Sequence, residues 1–174
     1  MPRRKPQTAG GYAPKDVTLV RSACLSLATY LGSLLEDLVI VGGLAPTLLI
    51  PVETLGGDEP HVGTQDLDVG ISLALLDESR YVDLVAQLQS ADFTQDVTDQ
   101  GKPANHRWKH RTLPVTVDFL IAPSGVAVTA GNMNIRTIDD SLSAVVAKGL
   151  PLAFKDRTKV TLTGKTLRGE DATR

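Results

Sequence analysis

The chain carries a single cysteine, Cys24, in 174 residues. One thiol closes no intrachain disulfide and furnishes no CxxC metal site. Its ordinary role is that of a small buried hydrophobe, and nothing points to an oxidising compartment. Aromatic residues are only 4% of the chain, so the core must be built from Leu, Val, Ala and Ile. Long apolar runs are absent too. No apolar segment follows Arg3, Arg4 and Lys5, which argues against a secretory leader. The longest uncharged stretch, Leu38 to Val52, is interrupted by Gly42, Gly43, Pro46 and Pro51, and is too short to cross a bilayer. A cytoplasmic protein is expected.

What is present suits one globular domain. Apolar residues reach 42% and charged residues 22%, which excludes disorder as the whole answer. The net charge of −2 hides a strong asymmetry. Residues 16–99 hold 14 acidic groups against 2 basic ones, whereas residues 100–117 hold four cations and no acid. An acidic first half beside basic segments permits a cation site next to an anion-binding surface, although ordinary solvated charge gives the same profile.

The pattern predicts an α/β (α+β) domain with a short mixed sheet flanked by helices. Residues 1–14, rich in Pro and Gly, read as an arm, residues 15–163 as the domain and residues 164–174 as a polar tail. Val17, Val20, Cys24, Leu27, Leu31 and Leu34 recur at helical spacing behind an Asp16 cap. Leu38–Val41 reads as a buried strand ended by Gly42-Gly43, and Leu44 to Ile50 as a short helix. Residues 52–64 read as a loop, and Leu67 to Leu73 as a strand with Leu67, Val69, Ile71 and Leu73 on one side. A helix capped by Asp77 buries Tyr81, Leu84, Val85 and Leu88. Strands are expected at Phe93–Val97, His106–Arg111 and Val115–Ile121, a helix at Ser141–Lys148 and a weak strand at Thr158–Thr163.

Three aspartates carry the chemistry. Asp66 and Asp68 stand two apart where a strand begins, so both point to one face, opposite Leu67 and Val69. Two carboxylates held side by side must share a proton or a cation, and hard ions such as Mg²⁺ take oxygen ligands. Asp118 sits inside the apolar run Val115–Ile121, where aspartate is disfavoured and needs a partner. If those strands are neighbours, the three carboxylates converge on one or two metal ions. The Gly42-Gly43 turn, between strand and helix, lets backbone N–H groups approach an anion such as a triphosphate. In His106–Arg111, Arg107, Lys109 and Arg111 share one strand face, a basic surface for a triphosphate or RNA backbone, with Trp108 available for stacking. Thr64 and Gln65, just ahead of the aspartate pair, are placed to orient it or to contact a nucleotide, although a polar loop explains them equally well. Lys155, Arg157 and Lys159 read as a solvated charge run rather than a phosphate site.

The ordered set Val39-Ile-Val-Gly-Gly43, Gly63-Thr-Gln-Asp-Leu-Asp-Val69 and Val115-Thr-Val-Asp-Phe119 resembles the nucleotidyltransferase superfamily that includes polymerase beta. It is most similar in flavour to the AbiEii-like toxins of bacterial toxin–antitoxin systems. The resemblance covers about residues 38–121 and rests on short motifs. It implies a nucleotidyltransferase-like fold and transfer of an NMP from an NTP to a hydroxyl acceptor, such as a tRNA 3′ end or a protein side chain. It further implies a two-metal Mg²⁺ site held by Asp66, Asp68 and Asp118. Gly42, Gly43, Thr64, Arg107 and Lys109 would then bind the nucleotide, and a cognate antitoxin becomes a natural partner.

Two departures stand out. Gly43 occupies a position where many members have Ser, which removes a hydroxyl contact to phosphate. The helical C-terminal part of such proteins, with its lysine and Lys-Asp motif, has no clear match here, so the tail 164–174 reads as the start of a missing part. That absence keeps a catalytically silent nucleotide- or partner-binding module open as a rival reading, beside transfer to a small-molecule acceptor.

Overall fold

The computed structural model describes residues 14–50, 64–73, 78–98, 100–124, 128–130, 133–138 and 140–174. The arm at 1–13, most of the expected loop at 52–64 and the Asp77 cap lie outside these residues. The first helix, α1 (Pro14–Leu31), passes into a 3-10 turn, Gly32–Asp37, which carries Leu34 into the core. Val20, Cys24, Leu27 and Leu31 are buried as their spacing requires. Asp16 lies within the first helical turn rather than ahead of it, buried, and accepts a hydrogen bond from Gln65 Nε2 at 3.1 Å. By length and composition the stretch Lys15–Asp37 is apolar enough to cross a membrane. Its apolar side chains form part of the core.

The strands are β1 (Leu38–Val41), β2 (Asp66–Ile71), β3 (Phe93–Val97), β4 (Pro103–His110), β5 (Thr116–Ile121), β6 (Val128–Ala130), β7 (Met133–Thr137) and β8 (Ser143–Val146). The helices between them are α2 (Leu44–Leu49) and α3 (Glu78–Ser90); α4 (Leu150–Lys155) follows β8. Together the strands make one mixed eight-stranded sheet, larger than the short sheet expected, in an α/β fold. β2 and β5 run parallel at its centre, and β1 closes one edge antiparallel to β2. The other side of β5 is shared. Its first half pairs antiparallel with β4, which carries β3, and its last two residues pair parallel with β8, which leads to β7 and β6.

Alternation along these strands separates two faces. Leu67, Val69, Ile71, Val117, Phe119, Ile121 and Trp108 are buried in one cluster with the stripes of α1 and α3. Helix α4 reaches the opposite face, where Leu150 lies against Gly70 beside Val39.

The expected helix over Ser141–Lys148 is not formed; β8 stands there instead. Its small and β-branched residues give no decisive period, and tertiary contacts choose the strand. Leu142, Ser143 and Ala144 are buried, and Gln95 and Asn105 donate to the Ser141 and Asp140 carbonyls at 2.7 Å each. The weak strand expected at 158–163 is irregular backbone up to Thr163. Residues 164–174, read as a polar tail, carry regular structure. β9 (Thr163–Lys165) and β10 (Asp171–Thr173) form an antiparallel hairpin beside α1. Leu162 is buried, the Leu167 N–H donates to Ser26 Oγ at 2.7 Å, and Arg168 bonds Asp92 and lies over the Tyr30 ring. This hairpin explains why Leu25, off the predicted stripe of α1, is nevertheless buried.

Candidate functional site

The face of the sheet turned away from α1 and α3 gathers the polar residues. On β2 the pattern is strict: Leu67 and Val69 are buried on the core face, while Asp66 and Asp68 are partly exposed on the other. Thr116 and Asp118 take the same polar side of β5, alternating with the buried Val117 and Phe119. Because β2 and β5 pair in parallel register, Asp68 stands directly beside Asp118 and Asp66 beside Thr116. Thr116 Oγ1 donates to Asp66 Oδ1 at 2.9 Å. Thr116 was not singled out from the sequence, yet its position two residues before Asp118 puts it on the same strand face.

The glycine turn meets this cluster at the end of β1. Val41 pairs with Asp68, so the chain leaves the sheet beside that carboxylate. Gly42 has φ +68°, in the left-handed region that side chains disfavour, and a Cβ there would lie 2.0 Å from Asp68 Oδ2. A Cβ on Gly43 would lie 2.9 Å from the Thr64 Cβ. Thr64 thus fills the space beside residue 43, and its hydroxyl donates to the Asp66 carbonyl at 2.8 Å. That bond shapes the entry to β2.

Strand β4 brings the cations. Arg107 pairs with Asp118 across the β4–β5 ladder. Its Nε and Nη2 donate to the two carboxylate oxygens at 2.6 and 2.5 Å, a bidentate, charge-assisted pair. Its hydrogen bonds to Asp118, together with the nearby Asp66 and Asp96, hold the guanidinium pKa above its ordinary value, against the effect of burial. Lys109, beside Thr116, forms an ion pair with Asp96 at 3.0 Å.

All eight residues singled out from the sequence therefore lie at one end of the sheet. Asp118 is bracketed, with a like charge on one neighbouring strand and an opposite charge on the other. An all-oxygen set of three carboxylates on one face suits a hard divalent cation in chemistry and in strand placement. Among the described residues, however, no three such side chains stand together as a metal-holding group, and Asp118 is engaged by Arg107.

Other motif residues go elsewhere. Trp108 does not offer a stacking surface; it is 1% exposed on the core face of β4. His110 is buried on that face, edge-on to Phe93 at 5.4 Å. Its Nδ1 accepts the Thr112 and Leu113 N–H groups at 3.3 and 3.2 Å, and burial lowers its pKa. Arg157 and Lys159 pair with Glu36. Burial pushes the Cys24 thiol up to about 11, which suits a core residue.

No protein-family model, curated protein or solved structure matches this chain.

Proposed function

We propose that this chain is a metal-dependent nucleotidyltransferase that moves an NMP from an NTP to a hydroxyl acceptor. One observation supports it above the rest: a glycine turn whose backbone can take no side chain lies against Asp68, and Asp68 stands beside Asp118 on the adjacent parallel strand. Asp66, Asp68 and Asp118 would hold Mg²⁺, and the N–H groups of the Gly42-Gly43 turn would meet the phosphates. A cation bound there would neutralise phosphate charge and make the acceptor hydroxyl a better nucleophile. In the transfer the acceptor oxygen would bond to the α-phosphorus as the bond to pyrophosphate breaks, its proton passing to Asp118, which would help to activate it. Arg107 and Lys109 stand on the same face, where they would take up the developing charge on the phosphate oxygens. The acceptor class proposed is a tRNA 3′ end or a protein, as for a toxin held in check by a cognate antitoxin.

A second reading, a silent nucleotide- or partner-binding module, is favoured by the closed Arg107–Asp118 pair. Purified chain with labelled NTPs, total tRNA and Mg²⁺ separates the two. Label reaching tRNA or protein, and lost with EDTA, Asp66→Asn and Asp118→Asn, is the expected result. Magnesium-dependent binding without transfer selects the silent nucleotide-binding module, and no binding removes both the transferase and that module.

A further inference from the structure

We propose that Arg107 gates the carboxylate face, releasing Asp118 only when a divalent cation and a polyphosphate arrive together. The inference rests on the assignment of this face to those two ligands. It starts from a conflict of valence. Both oxygens of Asp118 accept hydrogen bonds from one guanidinium, so a cation can claim that carboxylate only in place of Arg107. Asp118 cannot be spared from a cation cluster, because it is the carboxylate that stands beside Asp68.

The pair is built to open. Arg107 is the more exposed partner, with its side chain 34% exposed against 15% for Asp118. A change of side-chain rotamer frees it without disturbing the backbone ladder between β4 and β5. Once free, the guanidinium remains on a face rich in carboxylates, and its planar fork fits the oxygens of a phosphate chain. Lys109 is a poorer candidate for the same role, being held by Asp96.

The ligands are thereby coupled. A cation arriving alone must displace a charge-assisted pair. A polyphosphate arriving alone meets the carboxylates of Asp66 and Asp68. Arriving together they exchange partners: Asp118 passes to the cation and Arg107 to the phosphates, so each ligand raises the affinity for the other by the same factor.

The test uses Mn²⁺ as the cation and a preformed Mn²⁺–tripolyphosphate complex as the base-independent ligand. Both are titrated calorimetrically into the whole chain, its Arg107→Gln and Arg107→Lys variants, and Asp68→Asn. Arg107→Gln is expected to bind Mn²⁺ alone about tenfold more tightly than the parent and the complex about tenfold more weakly. Arg107→Lys, which keeps the charge but loses the fork, falls between them in both, and it carries the comparison if Arg107→Gln melts early. Mn²⁺ binding that is equal or weaker in the Arg107 variants overturns the gate while leaving the cation site intact. Mn²⁺ binding that is absent throughout, or unaffected by Asp68→Asn, overturns the gate and the proposed function together.

Discussion

Leu67, Val69 and Ile71 alternate along β2 with Asp66, Asp68 and Gly70, and Val117, Phe119 and Ile121 alternate along β5 with Thr116, Asp118 and Leu120. The first residues of each set are buried with α1 and α3, whereas the polar members of the second set face away from those helices. Two faces of the same strands thus differ in what holds them. The core face is a contiguous apolar cluster whose energy scales with buried area. The polar face is a network of directed contacts among charges, in which each partner determines the state of the next. Separating the two is what lets one sheet hold carboxylates without compromising its own stability.

Phe119→Ala tests the core face hardest. The ring is wholly buried, and its loss should cost about 3–5 kcal/mol in denaturant unfolding. A cost near zero would mean that the cluster does not carry the fold.

Gly42→Ala acts at the boundary between the faces. It forces a side chain into the left-handed region and onto Asp68, with an expected loss of about 1–3 kcal/mol. Unlike Phe119→Ala, it should also remove NTP binding by a chain that remains folded at room temperature. An NTP affinity equal to the parent's would detach the turn from the site.

The smallest effect is expected from His110, a polar residue on the core face. Burial lowers its pKa below the ordinary 6.5, so the unfolded chain takes up the proton first on acidification. Its contribution to stability is intact above pH 6.5 and is lost as the pH falls toward the folded-state value. Asp92 opposes the shift and Arg168 reinforces it. His110→Asn keeps an acceptor near the Nδ1 position and does not titrate. Thermal melts should therefore show a smaller fall between about pH 7.5 and pH 5.5 for the variant than for the parent. An equal fall would place the acid sensitivity elsewhere, with His106, whose pKa burial also lowers, the next group to replace.

Much of this architecture was legible in the residues. α1 and β2 follow from period, because each spends an apolar face on the core, and β1 and β5 from short apolar runs. The three aspartates were found by the conflict between their charge and their strand setting, and the structure lays them on one face. Other features need information that period does not carry. β8 holds too few residues to distinguish strand from helix, and what decides it is β5, some twenty residues earlier in the chain. The hairpin β9–β10 looks polar because only Leu162 and a few neighbours touch α1. The Arg107–Asp118 pair depends on the register across the β4–β5 turn, which is fixed by backbone geometry at 111–115 and not by the identity of either partner.

The register of that turn also bears on the order in which the sheet assembles. Arg107 and Asp118 are eleven residues apart and meet within a local hairpin, while Asp68 reaches Asp118 across fifty residues of chain. Local closure comes first because short loops cost less entropy. By the time β2 docks, the carboxylate awaiting Asp68 is already neutralised, and the central parallel pair forms without two bare anions being driven together.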